Sequence, residues 1–264
     1  MTVQPKVLVL AGRRPVALDP LAARAGVALK AMVPVAGEAM VGRVLRIAAQ
    51  AFPEAPLYVS VEDFADIAAE PTVARLHAEG RLRPVPAQAN LVDSVIEASR
   101  ITGFPLLMTT ADNVLMTAQG LQAMAQMGGQ GDAEGIIMMA RKEDILAAHP
   151  DGQRRFYRFR DGAFSNCNLF WLNSARTYEG IGSFRLGGQF AKRKKDAVRA
   201  LGLGALFLYV FNLTTLEGIF RHFSRRFGLT IRPLVAADGR LAIDVDNERT
   251  HRVAEEIIAR ETAT

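Results

Sequence analysis

The sequence predicts an α/β fold of three layers, α/β/α, with a mostly parallel sheet between helices. Three observations carry this. Short unbroken apolar runs, such as Val7-Leu8-Val9-Leu10 and Ile136-Ile137-Met138-Met139, have the length and composition of fully buried strands. They alternate with stretches of helical spacing, and that alternation builds parallel sheets covered on both faces. The third observation is Thr109-Thr110-Ala111-Asp112-Asn113, which follows the apolar run Phe104 to Met108 and delivers one carboxylate to a strand end. Ligands of such sheets bind at the carboxyl ends of the strands. Burying an unpaired carboxylate is costly, so Asp112 is capped, paired or poised for a cation.

The elements follow in order. Val7 to Leu10 reads as a central first strand, ended by Ala11-Gly12. Met40 to Ala51 is a helix, because Val41, Val44, Leu45, Ala48 and Ala49 share one face. Pro56 to Val61 is a strand and Thr72 to Glu79 a helix. Arg83-Pro84-Val85-Pro86 reads as an edge element, since proline cannot donate to a central ladder. Leu91 to Ile101 is a helix, Pro105 to Thr109 a strand, Leu121 to Met127 a helix and Gly135 to Ala140 a buried strand.

Beyond about residue 150 the pattern changes. Arg155 to Phe159 alternates, Asp161-Gly162 supplies a hairpin turn, and Cys167 to Leu172 follows as a strand. A helical segment carries the basic run Lys192-Arg193-Lys194-Lys195, and Thr215 to Phe227 is another helix. Leu241 to Asp246 reads as a late strand and Glu248 to Glu261 as the closing helix. One domain over 1–264 is expected, in three parts: 1–150, 151–235 and 236–264.

Composition narrows the function. Half of the 264 residues are hydrophobic, enough for a sizeable core. The formal charge of +5 suits phosphorylated small molecules or an anionic membrane surface. It points away from nucleic acid, because the basic residues are spread out and no aromatic-basic motif accompanies them. The single cysteine, Cys167, allows no internal disulfide, which fits a reducing, cytoplasmic compartment. No secretory pattern opens the sequence, and no apolar stretch reaches the ~20 residues of a spanning helix. His77, His149, His222 and His251 form no metal spacing and are expected at the surface.

The loop after the first strand holds Gly12, Arg13 and Arg14, and Lys30 follows. A small-residue turn there lets backbone N–H groups approach phosphate oxygens, and the cations suit a polyphosphate. An ordinary strand-to-helix loop with solvated arginines fits the same residues. The loop is neither a Walker loop nor a dinucleotide fingerprint, because neither glycine pattern is present.

The set Leu10-Ala11-Gly12, Arg14, Lys30, Pro34-Val35-Ala36-Gly37, Thr110-Ala111-Asp112-Asn113 and Asp244-Val245-Asp246-Asn247 resembles the sugar-phosphate and cofactor nucleotidyltransferases, most closely the MobA-like NTP transferase family. The resemblance runs from about residue 6 to about 140 and returns from about 230 to about 260. It implies a Rossmann-like, GT-A-type sheet whose first part, 1–150, binds the nucleotide, with 151–235 as an acceptor-side insertion. It also implies Mg²⁺, an NTP (CTP or GTP) and a small phosphorylated acceptor, with pyrophosphate released.

Carried over by position, Leu10, Ala11, Gly12 and Arg13 would hold the base and triphosphate. Arg14 and Lys30 would act on the phosphates. Asp112 would hold Mg²⁺, with Asp246 and Asp244 completing its shell. Asn90 and Ser94, at the start of a helix, would lie near the base, and Asn168 near the acceptor. The chain departs from the family in three places: fewer loop glycines, Leu29 before Lys30, and Asn247 after Asp246.

Simpler readings fit several of these residues. Asp112 suits a turn or helix N-cap, Asn90 a plain N-cap, and Cys167 the core. The apolar Leu201 to Phe211, between basic clusters, suits either a core helix or a peripheral membrane contact through Lys192–Phe211. Two other functions stay open on sequence alone. A GT-A glycosyltransferase would place Asp-x-Asp after a central strand, whereas this chain has it near the end. A non-catalytic membrane-associated nucleotide-binding protein would tolerate the altered loop Arg13-Arg14-Pro15.

Overall fold

The structure is a computed structural model that describes residues 4–13, 19–178, 204 and 208–262. Its strands are β1 (Lys6–Leu10), β2 (Pro34–Val35), β3 (Glu38–Ala39), β4 (Leu57–Val61), β5 (Leu82–Pro86), β6 (Leu106–Thr110), β7 (Gly135–Arg141), β8 (Tyr157–Phe159), β9 (Gly162–Leu172) and β10 (Ile231–Ala236). Its helices are α1 (Pro20–Ala25), α2 (Met40–Ala51), α3 (Pro71–Ala78), α4 (Leu91–Thr102), α5 (Ala118–Gly128), α6 (Lys142–Ala148), α7 (Leu216–Phe227) and α8 (Glu248–Thr262).

The main sheet runs β10-β7-β9-β6-β1-β4-β5, with β8 paired to β9. β1 lies parallel to both β4 and β6, β4 to β5, and β7 to β10, whereas β9 runs antiparallel between β6 and β7. Chain order reverses at β1: the chain moves outward through β4 and β5, then returns to place β6 on the other side. Crevices at such reversals, outside the carboxyl ends of the strands, are where ligands bind.

Alternation along each strand separates the two helical layers. Val7 and Val9 join one buried cluster with Val44 and Leu45 of α2, Val73 of α3, Leu121 of α5 and Ile257 of α8. Leu8, between them, joins Val95 and Ala98 of α4 on the other face. A third cluster, around Phe159, Phe164, Ile219 and Phe220, packs the β8–β9 hairpin under α7. Burial of these apolar faces is the main stabilisation, at about 25 cal/mol per Å² removed from water. Close approach fixes the α5 layer: a Cβ on Gly128 would lie 2.2 Å from the buried Trp171 ring of β9.

The edge element with Pro84 and Pro86 is β5, which pairs on one side only, with β4. The hairpin turn falls at Arg160-Asp161, and Gly162, with φ of +139°, opens β9. Two readings are corrected. Leu241 to Asp246 is not a strand: Gly239–Ala242 is a tight 3₁₀ turn, and the residues after it join no sheet ladder. Its alternating apolar residues look like a strand because Leu241, Ile243 and Val245 are all buried, but they serve the core rather than a ladder. The last strand is instead β10, parallel to β7. His149 is buried rather than superficial, with Nε2 2.9 Å from Glu256 of α8.

Candidate functional site

Three distant segments meet at the carboxyl end of β6. The Ala111 N–H donates to the Leu10 carbonyl at 2.9 Å, extending the β1–β6 ladder and presenting Asp112 at the rim. The Val245 N–H donates to the Asp112 carbonyl at 3.0 Å, which pins the segment carrying Asp244 and Asp246 against it. Lys30 begins a short 3₁₀ turn whose neighbours Leu29 and Ala31 are buried. Its ammonium donates to Asp112 Oδ2 at 2.6 Å and to Asp246 Oδ1 at 3.0 Å. The side chains of Lys30 and Asp112 are 17% and 16% exposed, while Asp246 is 51% exposed, so the centre opens to solvent on the Asp246 side.

Asp246 is also held from below, since its N–H donates to Thr250 Oγ1 at 2.9 Å. Asp244 turns the other way. Its Oδ2 accepts from Asn168 Nδ2 at 2.7 Å, and its Oδ1 is buried without a hydrogen-bond partner. Asn168 has φ of +47° at the point where β9 slips register against β7. Such bulges re-aim a side chain, and asparagine tolerates the left-handed region better than most residues. Here the bulge aims Asn168 at Asp244.

The charges of this cluster are interdependent. Burial pulls the Lys30 pKa down, but Asp112 and then Asp246 outweigh it, so the ammonium is held above its ordinary value. Burial, then the charges of Asp112 and Asp246, push the Asp244 carboxyl well above the usual carboxylate range, against the Asn168 hydrogen bond and Lys30. Cys167 is fully buried in the core, and burial, then the carboxylates Asp244 and Asp238, push its thiol up.

The first loop is arranged differently. The Arg13 N–H donates to Glu62 Oε1 at 2.7 Å, and its guanidinium meets Asp66 at 2.6 Å. A Cβ on Gly12 would lie 3.0 Å from both Glu62 Oε1 and Ala87 Cβ, so the loop from β1 lies directly against the loops after β4 and β5. Arg13 therefore engages neighbouring carboxylates rather than an open phosphate cradle. Leu10 pairs with Thr110 at the rim, and its carbonyl accepts from the Ala111 N–H. Asn90 N-caps α4 by accepting from Asp93 N–H at 3.0 Å, and Ser94 Oγ accepts from Gln88 N–H at 2.8 Å. Both shape the loop beside Gly12. Arg14 and Lys192-Arg193-Lys194-Lys195 lie outside the described residues, as does most of Leu201 to Phe211. Among the described residues no helix is long and apolar enough to cross a membrane.

One buried positioning residue escapes sequence reasoning. Asn113 Nδ2 donates to Thr109 Oγ1 at 3.1 Å and to the Cys167 carbonyl at 2.9 Å, tying the β6 end to the β9 bulge beside Asn168. Its place just after Asp112 was the available signal.

The centre can be tested for a divalent ion. Among the described residues no three metal-binding side chains converge closely enough to enclose one. The expected trio of Asp112, Asp244 and Asp246 is therefore not a ready cage: Asp244 is committed to Asn168, and Lys30 stands between the other two. Mg²⁺ needs less than a cage, since one or two carboxylates with phosphate oxygens and water suffice. Asp112 and Asp246 fit that requirement as hard oxygen donors at a centre that opens to solvent on the Asp246 side.

Comparison with solved structures supports the fold. The chain resembles a hypothetical transferase from Thermus thermophilus, with a TM-score of 0.75 and 23% identity over 94% of this chain and 100% of that one. It also resembles CMP:2-keto-3-deoxy-manno-octonic acid synthetase complexed with CTP, with a TM-score of 0.59 and 12% identity over 98% and 100% of the two chains. A third likeness is 4-diphosphocytidyl-2C-methyl-D-erythritol synthase from Anaerococcus prevotii, with a TM-score of 0.57 and 9% identity over 97% of each chain. No family model and no curated protein sequence matches the chain. At these identities the likeness establishes the fold alone, a three-layer α/β/α arrangement around a mostly parallel sheet.

Proposed function

We propose that the protein is a Mg²⁺-dependent nucleotidyltransferase of the MobA-like kind, acting in the cytoplasm. It would join an NTP, CTP or GTP, to a small phosphorylated acceptor and release pyrophosphate. The observation that supports this best is Lys30 bridging Asp112 and Asp246 at the carboxyl rim where chain order reverses. A cation and two carboxylates at that crevice can bind a triphosphate together with its metal. The fold shared with structures that include a CTP-bound synthetase supports the same reading.

In the reaction an acceptor phosphate oxygen forms a bond to the α-phosphorus, and the bond from that phosphorus to the bridging oxygen of pyrophosphate breaks. Negative charge grows on the non-bridging and leaving oxygens. Asp112 and Asp246 would hold the metal, which when bound supplies neutralisation of that charge. Lys30 would supply a positive charge to the α-phosphate. The Leu10-Ala11-Gly12 loop, with Arg14, would carry the triphosphate beside the Asn90–Ser94 loop. Asn168 and Asp244 would orient the acceptor.

The test is pyrophosphate release by the full chain with each of the four NTPs, Mg²⁺ and a panel of phosphorylated acceptors. At least one combination should turn over. Absence of any NTP binding in calorimetry with Mg²⁺ present would overturn the reading. One observation favours a second reading, a nucleotide-binding protein without catalysis. The Arg13 N–H, a natural phosphate donor, is already engaged by Glu62. Nucleotide binding without turnover over the acceptor panel would select it.

A further inference from the structure

We infer that Lys30 is a resident counter-cation that shuts the divalent-metal position until a nucleotide draws it away, so that the metal enters with the nucleotide and not before it. The inference rests on the nucleotidyltransferase reading above.

The Lys30 ammonium touches both carboxylates that would hold the ion, at 2.6 and 3.0 Å, and it reaches them from a different chain segment, 82 and 216 residues away. Carboxylates brought this close repel one another unless a positive charge lies between them, and here Lys30 supplies it. A divalent ion on Asp112 and Asp246 would have to displace that ammonium. Two like charges cannot share the position, so the bound lysine opposes the ion directly. A triphosphate offsets the loss of those two contacts. The phosphate oxygens give the ammonium a new partner, and they complete a metal shell of carboxylate, phosphate and water.

The side chain has the means to move. Lysine is a point charge on a four-carbon stem, and its long arm can swing between acceptors where a planar guanidinium would be fixed. Solvent reaches the centre from the half-exposed Asp246 side. Competition between Lys30 and the metal is a coupling free energy, and coupling is reciprocal: whatever frees the lysine strengthens the metal.

The experiment uses Mn²⁺ as the probe, with free aqueous ion read by electron paramagnetic resonance, on the full chain and on Lys30→Gln and Lys30→Arg. Without nucleotide, Lys30→Gln is expected to bind Mn²⁺ at least about tenfold more tightly than wild type. Lys30→Arg, which keeps the charge, should stay as weak as wild type. Equal Mn²⁺ affinity of wild type and Lys30→Gln overturns the inference.

A second measurement needs no variant. Mn²⁺ alone should leave the melting temperature of wild type unchanged, while Mn²⁺ with CTP or GTP should raise it beyond either nucleotide alone. A rise with Mn²⁺ alone, equal to that with both, overturns the inference too. Failure of the nucleotidyltransferase reading is seen separately, as no NTP binding in calorimetry. An intact NTP response with Mn²⁺ already bound beforehand would reject the shut position and leave that reading standing.

Discussion

The carboxylate centre at β6 and the Gly12-Arg13 loop at β1 share one rim and are built on opposite principles. The centre gathers Lys30, Asp112 and Asp246 from three distant segments and balances their charges inside the protein. The loop is local. Its Gly12 lies against Glu62 and Ala87, and Arg13 is engaged by Glu62 and Asp66. The difference teaches where a ligand must do work. On the proposed function, a ligand at the centre would exchange one cation for another, whereas at the loop it would have to displace carboxylates from the donors it needs.

The strongest way to sharpen this comparison is Asp112→Ala. On the proposed mechanism pyrophosphate release should fall on the order of 100-fold or more, because the metal's stabilisation of transition-state charge would be lost. Full activity would move the chemistry away from β6.

Asn168 tests the support behind the centre. Asn168→Ala should lower the unfolding free energy by about 1–3 kcal/mol in denaturant titration, since it deletes the hydrogen bond to Asp244 and leaves alanine at positive φ. Asn168→Gly loses the same hydrogen bond but accepts the backbone angle, so it should be more stable than Asn168→Ala by about 1 kcal/mol. Equal stability of the two would mean that the bulge carries no backbone strain.

The smallest effect is expected at the loop. Glu62→Ala removes an exposed carboxylate from the Arg13 N–H, and NTP binding by calorimetry should tighten about twofold to fivefold, the scale of an exposed charge contact. Weaker binding would instead make Glu62 part of the nucleotide site, and the contrast between the two regions would break there.

Much of the fold was legible in residues. The buried runs Val7–Leu10 and Gly135–Ala140, the helical face of Met40–Ala51 and the proline-marked edge at Pro84 and Pro86 all report local physics: period, burial and the missing proline N–H. The segment Leu241–Asp246 was misread because alternation records which side chains are buried and not which backbone groups pair. β10 was passed over although it completes the sheet beside β7, because Pro233 and Arg232 interrupt its apolar pattern. His149 was placed at the surface because nothing in its neighbourhood announces Glu256 more than a hundred residues on.

By itself the sequence determined the layers and the strand whose end is followed by Asp112. Only the tertiary structure decided how the charged residues meet. Lys30 was read as a phosphate ligand and sits between two carboxylates. Asp244 was read as a metal ligand and belongs to Asn168. Arg13 was read as a phosphate-loop residue and engages Glu62 and Asp66. The physical reason is range. Periodicity and propensity act between neighbours, whereas a charge takes the partner that the folded chain brings within about 3 Å, and the chain brings it from anywhere.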